Sequence, residues 1–317
     1  QTWGQSKVKV LLLAPREKLS EDGKTYFDIC QKLQVDMMQV DKQNRDTAFK
    51  SLEAAKVIVD ALFGTGLTRP VEGLYAEMID HMNQSTAYKL SVDIPSGLDG
   101  NTGKVQGIGV MADYTITFVL PKKGMYQYPA PLYTGVVEVV DIGMPKALVE
   151  AAQTDTFSIE EEEMKVLLPR RAMRSNKGSF GKVLVIGGSQ GMSGAPALTS
   201  MAAYKVGSGT VTAAVPYAIL EIMEQKLTEV IHCGLPDEDG FFSKEAGKIV
   251  GAMLDRYDVI AIGPGLGRNR SVLPVLIDVL ISDKPCVIDA DALYFIPELT
   301  DLLRIRKAPT IITPQDR

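Results

Sequence analysis

Short runs rich in Val and Ile alternate along this chain with longer runs whose apolar residues fall at helical spacing. In the first half, strands are expected over 7–13, 35–40, 56–62, 89–94, 114–120 and 136–142. Helices are expected over 20–33, where Ser20 is placed to cap, and over 75–82. In the second half the strand runs are 182–186, 210–215, 259–262, 285–288 and 310–312, with helices over 195–206, 244–254 and 272–280. Strands that are apolar nearly throughout, with helices between them, belong to a parallel sheet covered on both faces. The expected fold class is therefore α/β, with two three-layer αβα domains. Between the series lies an acidic run, Glu160 to Glu163, followed by Arg170, Arg171 and Arg174. These charges read as a solvated connection. The domains are placed at 1–146 and 147–317.

Bulk properties narrow the function classes. A chain of 317 residues can bury two cores. Its net charge of −5 argues against a nucleic-acid partner, which would want a basic face. The cysteines, Cys30, Cys233 and Cys286, form no CxxC pair, and the histidines number 2, His81 and His232. A disulfide framework, a zinc site or a histidine triad finds little material, and a reducing, cytoplasmic setting is expected. No apolar run approaches the roughly 18–20 residues of a membrane span, so no membrane partner is expected. Gln1-Thr2-Trp3-Gly4 carries neither an initiator Met nor a signal pattern, and Thr313 to Arg317 follow directly on a strand run. Sequence is expected to continue at both ends.

Acidic and glycine-rich turns sit at the strand ends. Asp60 closes the run Val57-Ile58-Val59 and opens onto Gly64-Thr65-Gly66-Leu67-Thr68-Arg69-Pro70. An open α/β sheet places its ligands at such carboxyl ends. Glycines let backbone N–H groups approach an anion, and Thr65, Thr68 and Arg69 add donors. The alternative is a plain turn that needs Gly for its geometry. Asp93 repeats the arrangement after the next strand, within Asp93-Ile94-Pro95-Ser96-Gly97. Asp60 and Asp93 on neighbouring strands could hold a monovalent cation or work as an acid/base pair. Asp93 could equally cap a turn.

The second half has three more such turns. Gly187-Gly188-Ser189 leads to Met192-Ser193-Gly194-Ala195 at a helix start, Gly263-Pro264-Gly265-Leu266-Gly267 follows a strand, and Asp289-Ala290-Asp291 follows another. Three at successive strand ends favour a binding crevice over packing alone. His232 and Cys233 are adjacent in a strand-like stretch, where side chains face opposite ways, so a structural role is expected. Tyr126, Tyr128 and Tyr133 read as a packed loop.

Two ordered sets of motifs carry a family resemblance. DALFGTGLTRPVEG, SVDIPSGLDGNTG, ADYTITFVLPKKG and VVDIGMP resemble the N-terminal domain of the bifunctional NAD(P)H-hydrate repair enzymes. The resemblance implies a Rossmann-like domain that epimerises the hydrated nicotinamide cofactor. Asp60 and Ser96 would help bind K+, Gly64 to Pro70 would contact substrate, and Asp93 would be the catalytic residue at the reacting centre. An upstream loop ending in GGDG, which contributes to both sites in the family, is absent from residues 1–317. KGSFGKVLVIGGS, GAPAL, IGPGLG, VIDADAL and IITP resemble the family's C-terminal, ribokinase-like domain. That domain dehydrates S-NAD(P)HX by phosphorylating the ring hydroxyl and eliminating phosphate. It uses ADP in bacteria or ATP in eukaryotes, with Mg2+. Ala195, Gly265, Asp289 and Asp291 would line the substrate pocket. Gln315 stands where the family has His, and Tyr294 where it has Asn. The GSGD segment bearing the family's base lies beyond residue 317, so residues 1–317 alone are not expected to dehydrate substrate. A homo-oligomer fits the family. Two other readings stay open: a ribokinase-type kinase acting on a small molecule such as a vitamin alcohol, and a non-catalytic nucleotide-binding protein.

Overall fold

Hydrophobic periodicity and register explain where each element forms. The computed structural model describes residues 8–152, 154–168 and 172–315. Gln1 to Gly4, Arg170, Arg171, Asp316 and Arg317, which figure in the sequence expectations, lie outside them. Contacts divide the chain into two units, 1–160 and 161–317.

Unit 1 contains β1 (Lys9–Leu12), α1 (Glu21–Lys32), β2 (Asp36–Gln39), α2 (Arg45–Glu53), β3 (Val57–Asp60), α3 (Leu74–Gln84), β4 (Tyr88–Val92) and β5 (Tyr114–Phe118). It continues through α4 (Pro131–Thr134), β6 (Val136–Val140) and α5 (Lys146–Ala151). Ser20 caps α1 as expected, its hydroxyl accepting from Gly23 N at 3.1 Å. β3 to β6 form one parallel sheet in chain order. β1 and β2 pair with each other in a separate parallel ribbon rather than extending that sheet. α2 was not anticipated, because its run mixes Arg45, Asp46 and Lys50 with few apolar residues. Burial of Ala48 and Leu52 against Met78, Ile79 and Ile58 fixes it. That cluster covers one face of β3. On the other, Val57 and Val59 stay 56% and 59% exposed, although their run led us to expect cover on both faces.

No helix joins β4 to β5. The connection, 93–113, is an irregular loop pinned by its own backbone: Gln106 N donates to Gly97 O at 2.7 Å and Val110 N to Ser96 O at 2.9 Å. Gly97 is required there. Its φ is +98°, and a Cβ would run into the Ile108 carbonyl oxygen.

Unit 2 begins with α6 (Glu161–Leu167), whose three leading glutamates are exposed, as the solvated connection predicted. There follow β7 (Lys182–Ile186), α7 (Gly194–Lys205), β8 (Thr210–Pro216), α8 (Leu220–Lys226) and β9 (Ile231–Leu235). A hairpin of β10 (Asp237–Glu238) and β11 (Phe241–Phe242) turns at Asp239-Gly240, both with positive φ. Then come α9 (Lys244–Met253), β12 (Val259–Ile262), α10 (Leu273–Ile281), β13 (Cys286–Ile288), α11 (Thr300–Ile305) and β14 (Thr310–Ile312).

The six long strands form one parallel sheet, ordered β14-β13-β12-β7-β8-β9. Here the three-layer expectation holds. Leu184 and Ile186 of β7 enter a core with Ala246 and Val250 of α9 and Val275 and Leu276 of α10. Val185 enters another with Ala197 of α7 and Met223 of α8. Chain order runs outward from β7 through β8 to β9, then restarts at β12 on β7's other side. The topological switch point lies between β7 and β12, where an open α/β sheet parts to admit a ligand.

Candidate functional site

Asp60, the last residue of β3, is 1% exposed. Register sets it beside Ser91 on β4. Its Oδ2 accepts from Ser91 Oγ and Ser96 N, both at 2.8 Å, and its Oδ1 from Ser96 Oγ at 2.6 Å. Ser96 in turn accepts from Phe63 N at 2.9 Å, which ties the start of the glycine loop to the second turn. Lys122 pairs with Asp93 and Lys89 with Asp113, and no ion pair among the described residues reaches Asp60. Among the described residues the buried carboxylate therefore has donors but no cation. Buried charges are normally paired or metal-bound. A hard monovalent cation fits this oxygen set of Asp60, Ser96 and the nearby Phe63 carbonyl.

Asp93 follows β4 with φ +69°, a left-handed conformation uncommon for a residue with a side chain. Its N–H donates to Ile116 O at 2.7 Å. Its Oδ1 accepts from Lys122 Nζ at 2.5 Å, with Thr117 Oγ1 and Phe118 N each at 3.4 Å. Its Oδ2 has no hydrogen-bond partner among the described residues. Asp93 is thus not the turn cap that was one option. The cap in this loop is Asp99, whose carboxylate accepts from Asn101 N and from Thr102 N and Oγ1. Those Thr102 and Asn101 hydrogen bonds hold its pKa below the ordinary value. Asp60 and Asp93 stand at the ends of adjacent strands, as expected, yet no hydrogen bond joins them and they share no partner.

The loop Gly64 to Pro70 is exposed except for half-buried Leu67. A Cβ at Gly64 or Gly66 would meet no atom within 4 Å, and neither has positive φ. Turn geometry therefore does not call for glycine at either position. Close approach of something outside the chain would. The loop reaches the second turn through Thr65, whose Cγ2 lies 3.6 Å from where a Gly100 Cβ would stand, with Lys122 Cγ at 3.7 Å.

In unit 2 the switch-point loops interlock. Gly188 N donates to Pro264 O and Ser189 Oγ to Gly265 O, both at 2.9 Å. Gly265 has φ +65°, and a Cβ would lie 2.6 Å from Met192 O. Asp291 accepts from Gly267 N at 3.0 Å and lies 3.5 Å from Arg268 Nε. Arg268 also stacks over Tyr294, its guanidinium carbon 5.0 Å from the ring centroid. Asp289 accepts from Thr313 Oγ1 at 2.7 Å. Gly265, Asp289 and Asp291 are thus gathered at the ends of β12 and β13. Ala195 is exposed at the start of α7, and Gln315 is exposed after β14. Among the described residues no group of three or more His, Cys, Asp or Glu could hold a metal ion, so no Mg2+ ligand set is assigned here.

No hydrogen bond joins His232 and Cys233 among the described residues. His232 Nε2 is buried without a partner among the described residues, and burial pushes the Cys233 thiol up, away from a nucleophilic thiolate. The packed-loop expectation holds for Tyr133, which sits against Ile94, Leu98 and Ala130. It fails for Tyr126 and Tyr128, 56% and 66% exposed. The sequence reading missed Ser91 and Lys122 as site residues. Ser91 becomes legible once β3 and β4 are paired in register. Lys122 lies 29 residues beyond Asp93 and has no local spacing to reveal it.

Against known families, residues 4–124 match the one described as YjeF-related protein N-terminus, and residues 183–317 the one described as NAD(P)H-hydrate dehydratase. A bifunctional NAD(P)H-hydrate repair enzyme of Moorella thermoacetica is 36% identical over 98% of this chain and 59% of its own length. That of Thermofilum pendens is 35% identical over 97% of this chain and 58% of its own. The chain thus spans under two thirds of the curated relatives it matches. An ADP/ATP-dependent NAD(P)H-hydrate dehydratase from Bacillus subtilis, co-crystallised with ATP and Mg2+, is 30% identical over 49% of this chain and 51% of that one. Its TM-score is 0.39.

Proposed function

Because this chain joins a domain of the YjeF-related N-terminal family to one of the NAD(P)H-hydrate dehydratase family, we propose that it serves in the repair of hydrated nicotinamide cofactors. The first domain, 1–146, epimerises R- and S-NAD(P)HX. The second, 147–317, takes part in dehydrating the S form to NAD(P)H with ADP or ATP and Mg2+, the hydroxyl leaving as phosphate. The substrates are NADHX and NADPHX, and the setting is cytoplasmic.

The observation that carries this reading is Asp93. It is a half-buried carboxylate with one oxygen tethered and the other without a partner among the described residues, and the exposed loop Gly64 to Pro70 reaches the segment that follows it through Thr65. Proton transfer by a positioned carboxylate needs such a free oxygen within hydrogen-bond reach of the reacting group. Asp93 holds or moves the proton at Oδ2, and the backbone of Gly64 to Pro70 orients the cofactor. K+ bound by Asp60 and Ser96 would supply positive charge that offsets the buried carboxylate. In the second domain, Ala195, Gly265, Asp289, Asp291 and Gln315 face the substrate.

The test feeds NADHX of both epimers, with K+ and ADP or ATP, to the protein that carries this chain, and follows NADH absorbance. The parent is expected to convert the whole mixture, and Asp93→Asn to convert only the S form rapidly. No NADH with either nucleotide would sink the dehydratase assignment. A screen of vitamin alcohols with ATP would then separate the kinase reading, which requires a phosphorylated alcohol, from the non-catalytic one.

A further inference from the structure

Lys122 is the one basic side chain among the described residues that touches Asp93, and its surroundings are more specific than those of a surface ion pair. Its ammonium donates to Asp93 Oδ1 at 2.5 Å, to Thr117 Oγ1 at 2.8 Å and to Phe118 O at 3.2 Å. Three acceptors use all three protons of the group. The stem is held as well. Lys122 enters a short turn, Lys123–Tyr126, in which Gly124 N donates to Gly100 O at 2.8 Å. A Cβ at Gly124 would sit 2.5 Å from the Asp99 carbonyl oxygen, so the turn lies directly on the loop that starts at Asp93. Surface lysines lack this support and contribute little through their ion pairs.

We infer that Lys122 is a positioning residue for Asp93: it fixes the carboxylate through Oδ1 and so leaves Oδ2 as the oxygen offered to substrate. The inference rests on the epimerase reading above. The backbone at φ +69°, a conformation aspartate tolerates, leaves the direction of the carboxylate to its side-chain partners. Without Lys122, Oδ1 keeps only two contacts at 3.4 Å. Bonds that long do not fix a rotamer. The carboxylate then swings over the broad χ2 torsion of an aspartate instead of keeping one direction. Misplacement by about 1 Å is enough to cost about 100-fold in rate.

The experiment compares Lys122→Met, Lys122→Arg and Lys123→Met with the parent, measuring kcat and KM for NADHX epimerisation. Lys123 is exposed and serves as control. Lys122→Met is expected to lose about 10- to 100-fold in kcat with KM moving less than about threefold, because orientation and not binding is lost. Lys122→Arg, which keeps charge and donors, should recover most of that loss, and Lys123→Met should match the parent. The Asp93 carboxyl carbon resonance is read alongside and should move in Lys122→Met but not in Lys123→Met. Parent-like kcat in Lys122→Met, or an unmoved resonance, overturns the inference while leaving the epimerase reading intact. A loss in Lys122→Met that Lys122→Arg does not recover also overturns it. A parent that fails to epimerise overturns the epimerase reading itself, and the positioning role falls with it.

Discussion

Asp60→Ala probes the hydrogen-bond cluster that joins the two turns of unit 1. The substitution removes the acceptor for Ser91 Oγ and Ser96 N, each at 2.8 Å, and for Ser96 Oγ at 2.6 Å. Ser96 Oγ can turn to the Phe63 carbonyl, 3.3 Å away. The two fully buried donors, Ser91 Oγ and Ser96 N, make no other hydrogen bond among the described residues, and half-buried Leu62 N also loses a longer bond, 3.3 Å to Oδ1. Each orphaned donor costs about 1–3 kcal/mol. Relief of the carboxylate's own desolvation offsets part of the resulting ~2–6 kcal/mol. A net loss of about 3 kcal/mol is expected, equivalent to about 150-fold at ~1.4 kcal/mol per decade. Hydrogen exchange is the suitable assay, because it reads the Ser96 amide and the β3–β4 ladder without assuming that two units unfold together. Asp60→Asn retains one acceptor oxygen and should lose about half as much. Protection at Ser96 within about 0.5 kcal/mol of the parent in Asp60→Ala would refute the claim that Asp60 organises this site.

Other consequences are open to measurement. K+ at about 100 times its Kd should stabilise the parent by about 2.7 kcal/mol, and Asp60→Asn should abolish that gain; an equal rise in both would place the cation elsewhere. Gly265→Ala forces a Cβ to within 2.6 Å of Met192 O at φ +65°, so unit 2 should lose about 1–3 kcal/mol in thermal unfolding. Burial holds the Asp278 pKa above its ordinary value. The fold therefore favours the neutral acid, and stability falls as pH rises from the unfolded value through the raised folded one. Asp278→Asn removes that fall, so its advantage over the parent in unfolding temperature should grow as pH rises above the ordinary aspartate range of about 4. An advantage independent of pH would rule out titration as its source.

Much of the fold was written locally. The strand runs 57–60 and 182–186, the cap at Ser20 and the helices α7, α9 and α10 follow from apolar periodicity and one side-chain oxygen, which depend only on residues a few positions apart. The strand-end placement of Asp60, Asp93 and Gly265 was legible for the same reason, since a polar or glycine residue ending an apolar run has nowhere else to go in a parallel sheet. Tertiary structure decided the strand order of the second sheet. That β12 restarts beside β7, and so brings 187–193 and 263–267 together at one end of the sheet, is a matter of sheet order. It also decided that 45–53 is helical, through burial on α3. Above all it decided what each carboxylate meets. Ser91 reaches Asp60 by strand register, and Lys122 reaches Asp93 from beyond the next strand. Hydrogen bonds between segments 29–36 residues apart leave no period in the sequence. They arise only when backbone pairing brings the ends of separate strands to one edge of the sheet.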